Sequence, residues 1–521
     1  MATTNLTVIF VIIAMVMVTM TSSSRILLIP VPHYSHVNMF AVAAKTLQDD
    51  GHDVSILVHD KHTKRVKANV DVMEYPLSAN AVIPTVLSKA MQDVGEMDAN
   101  MFYKGYYMYN TLTSAIESFC RELLGNEQIM NRIRDAKYDM AIVDSAHFVA
   151  CIHYIPYKFD IPKVNLGPYQ SPWMFGVSSV PFHEPPMFLE TKNPQLGLVK
   201  RVAAVFGAVA TENMAYLLGF DKFAKEYLPE KPAKSIMEIM SNCEMTLITV
   251  ETTCFDFPRI SAPNYRYIGS LSGSVTPKVL PDEYKKFADG AKEGLIVISF
   301  GSVIDLRKTI VRPIRMLIEA LGRMKEKAIL QFTLADLGDL KIPPNVLIRE
   351  WLPQTDLLAH QNTELFISHG GLNGHLEGTY FGVPIMTLPY QPEQARNGAR
   401  AEAKGHGKLL KWEETNTEEL YSTMREIIDD KSYKQNIMKC REIIRDIPSA
   451  TEQLSFWVNH ILKHGSEHLR PISADMSFCQ FFGLDVFAIL GFALLIAFVL
   501  LYGCFRCCFK CCCRSSKIKK D

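Results

Sequence analysis

One stretch of the chain, Trp351 to Gln394 (WLPQTDLLAHQNTELFISHGGLNGHLEGTYFGVPIMTLPYQPEQ), leaves few folds open. At its centre the apolar run Leu365-Phe366-Ile367-Ser368 passes directly into His369-Gly370-Gly371-Leu372-Asn373-Gly374, which reads as a buried strand opening through a glycine turn into a helix. Such a turn binds anions, because glycines let backbone N–H groups approach a phosphate and the helix offers unpaired donors and the positive end of its dipole. Strand-glycine-helix turns also arise for conformational reasons alone, so the specificity lies in the neighbours. Trp351, with Pro353 and Gln354 behind it, supplies a stacking plate for a base and an amide to read its ribose or edge. Asn373 and Glu377 stand four apart and share one helix face, in reach of a diphosphate and ribose hydroxyls. A second strand, Pro384 to Leu388, ends in Pro389, Gln391, Pro392, Glu393 and Gln394, which brings a carboxylate-amide pair suited to hydroxyl-rich ligands to a second strand end.

The spaced pattern is W-x-P-Q from Trp351, L-x-x-H from Leu357, F-I-S-H-G-G-x-N-G-x-x-E from Phe366, G-V-P from Gly382 and E-Q at Glu393. It resembles the signature of the UDP-glycosyltransferases, the family that includes the animal UDP-glucuronosyltransferases. The resemblance implies that Trp351 stacks on uracil, that Gln354 and Glu377 bind ribose, that His369, Asn373 and Gly374 hold the diphosphate, and that Glu393 and Gln394 face the sugar. Leu352 and Gly371 complete the donor set it implies. The chain departs from the family at Glu393, where Asp is usual; the extra methylene moves the carboxylate without changing its charge.

With 521 residues the chain exceeds one ordinary domain, so two domains plus appendages are expected. Lys+Arg and Asp+Glu are both 55, which argues against a nucleic-acid partner. Two segments hold a disproportionate share of the apolar residues. Leu6 to Met20, followed by Thr21-Ser22-Ser23-Ser24, reads as a secretory signal cleaved near Ser24, with an uncleaved anchor as the alternative. Val486 to Phe505 is about twenty uncharged residues long, enough to span a bilayer core of about 30 Å. Arg506, Lys510, Arg514, Lys517, Lys519 and Lys520 follow and keep the tail cytosolic. The lysines third and fifth from the end resemble a dilysine retrieval signal. The expected product is a single-pass type I protein of the endoplasmic reticulum membrane with its body in the lumen.

Of 12 cysteines, six (Cys504, Cys507, Cys508, Cys511, Cys512, Cys513) crowd the tail, where S-palmitoylation is favoured over zinc. The others (Cys120, Cys151, Cys243, Cys254, Cys440, Cys479) are even in number but scattered, so free thiols and disulfides both stay open.

In the first half, the run Arg25 to Val31 predicts a strand, Pro32-His33-Tyr34-Ser35-His36 a break, Met39 to Asp50 a helix and Val54 to Val58 a second strand. This βαβ unit implies a parallel sheet, whose ligands gather at the carboxyl ends of strands, where His36 falls. Residues Ala81 to Asp135 read as helical and rich in Met, Tyr and Phe, either as core or as an adaptable wall for apolar acceptors. A buried strand from Tyr138 to Val143 ends in Asp144, a carboxylate that needs a partner, and His36 is the natural one. The family resemblance supports the pair: Ser35-His36 and Asp144 match its catalytic His and supporting Asp. His33, His52, His59, His147 and His375 read as structural. Pro181 to Pro186 predicts a loop, Gly197 to Phe223 a helix with apolar faces, Cys243 to Val250 the last strand of the first domain, and the prolines and glycines that follow a linker. Leu295 to Phe300 opens the second domain as a strand, and by resemblance Gly301 and Ser302 after it also approach the phosphates.

The expectation is an α/β chain of GT-B type, two doubly wound Rossmann-like domains facing a cleft, plus one C-terminal transmembrane helix. Its segments are a signal (1–24), an acceptor-binding domain (25–255), a linker (256–285), a UDP-sugar-binding domain (286–455), a helix and connector (456–485), the span (486–505) and a basic Cys-rich tail (506–521). The expected reaction is inverting transfer from UDP-glucuronate or UDP-glucose to a hydroxyl of a small lipophilic acceptor, with His36 as base. UDP-sugar is a co-substrate; no cofactor or metal is called for, since no D-x-D pair lies near the phosphate turn. Homo-oligomers stay open, as do two alternatives: a ceramide or lipid hexosyltransferase, and a non-catalytic membrane-anchored nucleotide-sugar binder, which would not need both His36 and Asp144.

Overall fold

The computed structural model of the chain describes residues 23–66, 69–97, 100–170, 172–175, 197–212, 218–258, 260–271, 276–301, 311–333, 337–338 and 340–514. The expected signal, the Pro181–Pro186 loop, Ser302 and the last seven tail residues therefore lie wholly or almost wholly outside the described residues. The polypeptide forms two compact units, residues 1–469 and 470–521.

The first unit holds two lobes, each built on a parallel sheet. In the first, strands β1 (Arg25–Ile29), β2 (Asp53–His59), β3 (Asp71–Tyr75), β4 (Met140–Asp144), β5 (Lys163–Gly167), β6 (Met245–Ile248) and β7 (Tyr265–Tyr267) take the order β3-β2-β1-β4-β5-β6-β7. In the second, β8 (Leu295–Ser299), β9 (Lys327–Gln331), β10 (Val346–Arg349), β11 (Thr363–Ser368), β12 (Ile385–Thr387) and β13 (Gly407–Leu409) take the order β10-β9-β8-β11-β12-β13. The central strands are covered on both faces, which is why they read as unbroken apolar runs rather than alternating ones. Each sheet reverses its winding once, between β1 and β4 in the first lobe and between β8 and β11 in the second. Ile29 lies opposite Val143 and Ser299 opposite Ser368. Ligands of open α/β sheets bind where such reversals leave a crevice beyond the strand ends.

Three elements depart from the sequence reading. Helix α1 spans Tyr34–Asp49, starting ahead of the expected Met39, so His36 sits in its first turn rather than in the preceding loop. The prolines before His33 end the strand but do not delay the helix. Strand β7 lies inside the expected linker; it has three residues among prolines and pairs with β6 only after the chain turns back. The third lies among the later helices, α2 (Leu372–Phe381), α3 (Pro392–Ala403), α4 (Lys431–Asp446) and α5 (Ala450–His464). Helix α5 returns to the first lobe. Its Leu454, Val458 and Ile461 are buried with Ile26, Leu28, Val37 and Phe40, so the expected boundary at residue 455 falls within one continuous helix. The helical region after Ala81 forms as Ile83–Glu96, Met101–Leu124 and Glu127–Ala136, and the later one includes Leu198–Glu212 and Asp221–Tyr227. A disulfide joins Cys120 to Cys151, settling a pairing the sequence left open. In the second unit, α6 (Leu484–Arg514) contains one stretch, Leu484–Lys510, long and apolar enough to cross a membrane.

Candidate active site

At the reversal of the first sheet, β1 delivers the chain through Pro30, Val31 and Pro32 to α1 and His36, while β4 ends in Asp144 alongside. The His36 Nδ1 and Asp144 Oδ2 are 2.7 Å apart. Asp144 is 0% exposed, yet its carboxylate is well provided for: Oδ2 also accepts from the Val31 N–H (3.3 Å) and Oδ1 from the Ala146 N–H (3.1 Å). A carboxylate can only accept, so the imidazole proton resides on Nδ1 and the Nε2 lone pair is left for a substrate. His36 itself is 8% exposed. The Tyr169 ring stacks on it with centroids 5.9 Å apart, and His33 meets it edge-on at 5.6 Å. Burial, assisted by the neighbouring His36 and His62, lowers the His33 pKa to about 3, so His33 stays neutral beside His36.

At the reversal of the second sheet, Gly301 follows β8 with φ +76° and His369 follows β11. A Cβ added at Gly301 would lie 2.9 Å from the His369 ring and one at Gly371 only 2.5 Å from its Nε2. The imidazole thus fills the room that two missing side chains leave. Burial lowers the His369 pKa to about 4, against the pull of the Ser299 backbone. It is a neutral hydrogen-bonding group near pH 7, not a cation. Helix α2 begins beside it without a side-chain cap, so its first-turn N–H groups face the same corner. Asn373 is in that turn. Gly374 is different: a Cβ there would make only ordinary contacts of 3.5 Å, so the fold does not demand glycine.

Glu377 lies one turn further, buried, and accepts from Gln354 Nε2 at 2.9 Å. Burial raises its pKa to about 7, opposed by the Gln354 and Thr355 hydrogen bonds. Trp351 is 52% exposed, and its ring meets that of Tyr34, the first residue of α1, with centroids 6.0 Å apart. The plate of one lobe therefore stands against the helix that carries the imidazole of the other. Leu352 points elsewhere. Its side chain is buried in the second lobe's core with Leu357, Phe366 and Ile385, so only its backbone can face a ligand.

Glu393 and Gln394 open α3. The Glu393 carboxylate accepts from Asn397 Nδ2 at 2.7 Å, and burial raises its pKa despite Arg396 and Arg400. The Gln394 Oε1 accepts from the backbone N–H groups of Tyr390 (2.8 Å) and Gln391 (3.1 Å), so the carbonyl end of this amide holds the helix start and its Nε2 is the end left for a ligand.

Two features escaped the sequence reading. Tyr169, just after β5, has its hydroxyl pKa pushed up by burial and then by the charges of Asp144 and Glu393, which places it in the fields of carboxylates from both lobes. Its position beyond a strand's carboxyl end was the available signal. The second is a buried interlobe ion pair, Arg400 with Asp256 at 2.6 Å, to which Gln170 Nε2 adds a hydrogen bond at 3.1 Å. No local pattern announces it.

Residues 24–521 match the profile of a family described as UDP-glucoronosyl and UDP-glucosyl transferase. Among similar proteins, a 2-hydroxyacylsphingosine 1-beta-galactosyltransferase of Mus musculus is 27% identical over 498 residues, covering 92% of this chain and 87% of its own. UDP-glucuronosyltransferase 2B9 of Macaca fascicularis is 26% identical over 524 residues, covering 94% of each. Among solved structures, the glycotransferase of kitacinnamycin superposes with a TM-score of 0.60 at 15% identity, covering 84% of this chain and 98% of its own. The calicheamicin glycosyltransferase CalG4 gives 0.57 at 16%, covering 85% and 99%. These structures share the GT-B architecture of two facing Rossmann-type lobes.

Proposed function

Because the chain belongs to the UDP-glucoronosyl and UDP-glucosyl transferase family, we propose that it moves a hexose unit from a UDP-sugar onto a hydroxyl of a lipophilic acceptor, with His36 as the general base. The observation that carries this reading is the 2.7 Å His36–Asp144 pair, whose imidazole stands on the helix whose first residue, Tyr34, meets Trp351 across the cleft. The UDP-sugar is a co-substrate held by the second lobe. Trp351 stacks on uracil; Glu377, steadied by Gln354, accepts from the ribose hydroxyls. The α2 first turn, His369 and the backbone at Gly301 and Gly371 donate to the diphosphate. Glu393 and the Gln394 Nε2 meet the sugar hydroxyls.

The first lobe binds the acceptor. His36 Nε2 takes the hydroxyl proton as the acceptor oxygen attacks the anomeric carbon, and the bond from that carbon to the β-phosphate oxygen breaks to release UDP. Asp144 stabilises the imidazolium so formed. Attack from the face opposite the leaving group inverts the anomeric centre. Helix α6 anchors the protein in the endoplasmic reticulum membrane, with the catalytic body in the lumen. Membrane tethering favours acceptors that partition into lipid.

A second reading within the same chemistry takes a membrane lipid as acceptor. Relatives named 2-hydroxyacylsphingosine 1-beta-galactosyltransferase, aligned over 92% of the chain, favour it. The test is UDP release from UDP-glucose, UDP-glucuronate, UDP-galactose and UDP-N-acetylglucosamine, each with a phenol and with ceramide in detergent. Acceptor-dependent release with any donor supports the transferase, and the acceptor that works separates the readings. Tight UDP binding without release from any pair would leave a non-catalytic binder.

A further inference from the structure

Outside the cleft, the loop after β6 forms another junction between the lobes. The buried Glu251 carboxylate accepts from the backbone N–H groups of Thr253 (2.6 Å), Cys254 (2.7 Å) and Phe255 (2.9 Å), which fixes the loop's conformation. The loop thereby presents Cys254 to α4 of the second lobe. There its Sγ hydrogen-bonds the Cys440 carbonyl at 3.6 Å. Both cysteines are buried free thiols. On either side the junction is firm: Phe255 meets His375 of α2 edge-on with centroids 5.9 Å apart, and Asp256 pairs with Arg400 of α3.

We propose that Cys254 and Cys440 are a modification site, joined by oxidation into a cystine that ties the first lobe covalently to α4 and holds the lobes at one separation. The Cys254 Sγ already lies against the backbone of Cys440, so a restrained loop and a helix need little movement to bring the two sulfurs to bonding distance. The chain already forms one cystine, Cys120–Cys151, but that one lies within the first lobe. The oxidant is glutathione disulfide. The Cys254 thiolate attacks one of its sulfurs, the glutathione S–S bond breaks, and a mixed disulfide forms as one glutathione leaves. Cys440 then attacks the Cys254 sulfur and expels the second glutathione. Two cysteine thiols are oxidised, one glutathione disulfide is reduced, and the two thiol protons end on the two glutathiones. Both sulfurs are shielded while the lobes are together, so exchange occurs when they part. Once closed, the bond keeps Trp351 against Tyr34 and hinders donor entry and UDP release.

The test uses the full chain in lipid nanodiscs, incubated with glutathione disulfide, digested without reduction and read by mass spectrometry. A cross-linked pair of peptides carrying Cys254 and Cys440, lighter than their sum by two hydrogens, is expected. Transfer should slow by about tenfold on oxidation, because gating of the cleft limits turnover, and recover on adding reduced glutathione. Cys254→Ser should keep the wild-type rate under both conditions, and Cys440→Ser gives the same readout from the other lobe. The proposal is overturned if both cysteines remain alkylatable after unfolding at saturating glutathione disulfide, or if the cross-link forms and the rate does not change. The mass readout stands whether or not the transferase reading does.

Discussion

Replacing Asp144 by Asn keeps the shape of the side chain and removes its charge. The asparagine oxygen can still accept from Ala146, but its NH2 group would confront the Val31 N–H and the His36 Nδ1, both now served by Oδ2. To avoid a donor facing a donor, the imidazole moves its proton to Nε2, the nitrogen that has to receive the acceptor's proton. The imidazolium formed during attack also loses its counter-charge. Two unit charges about 4 Å apart at an effective dielectric constant of about 20 attract by roughly 4 kcal/mol. That energy corresponds to about a thousandfold in rate. The acceptor kcat/KM, followed by coupled UDP release, should fall by that factor, while the UDP Kd from calorimetry stays within about twofold, as expected of a distant site. Transfer within tenfold of wild type, or a parallel loss of UDP affinity, would refute the assignment of Asp144 to the base.

Glu377 has its pKa raised from 4.5 to about 7, so its contribution to stability is present below 4.5 and is lost as pH rises through 7. Ribose hydroxyls donate to the charged form, so UDP-glucose affinity measured by calorimetry should increase as pH rises through 7, and Glu377→Gln should flatten both trends; a flat wild-type affinity profile would remove Glu377 from the ribose. Gly371 has φ −60°, which alanine accepts, so Gly371→Ala acts only through the 2.5 Å approach of its Cβ to His369. UDP affinity should fall by roughly tenfold with stability changed by less than about 1 kcal/mol; unchanged affinity would mean the imidazole does not set the phosphate corner. Arg400→Met should lower unfolding stability by about 3–5 kcal/mol by stranding the buried Asp256 carboxylate, seen as a reduced denaturation midpoint; a loss under about 1 kcal/mol would show that the pair does not hold the lobes together.

The sheets were legible because parallel strands covered on both faces must carry an unbroken apolar run, as β1 (26–29), β4 (140–143), β8 (295–298) and β11 (365–367) do. The placement of the candidate residues at strand ends was legible for a related reason. Strand ends followed by glycine, histidine or acid fall at the winding reversals, and such reversals are where α/β sheets bind ligands. What stayed hidden depends on partners remote in sequence. Helix α5 has an apolar stripe that fits either lobe, and only packing decides that it covers β1. Strand β7 is too short for a periodic signal. The buried Leu352 looks like a site residue in the motif, yet its side chain is spent on the fold, and the Gln394 oxygen holds a helix start so that only its Nε2 is left for a ligand. Asp256–Arg400 and Cys254–Cys440 join lobes that sequence patterns treat separately.

The central claim is that one imidazole accepts the acceptor's proton while a separate lobe holds the nucleotide. Paired measurement of transfer rate and UDP Kd on His36→Ala tests it most directly. The account predicts transfer reduced to background with UDP affinity nearly that of wild type. Transfer that survives the substitution would contradict it.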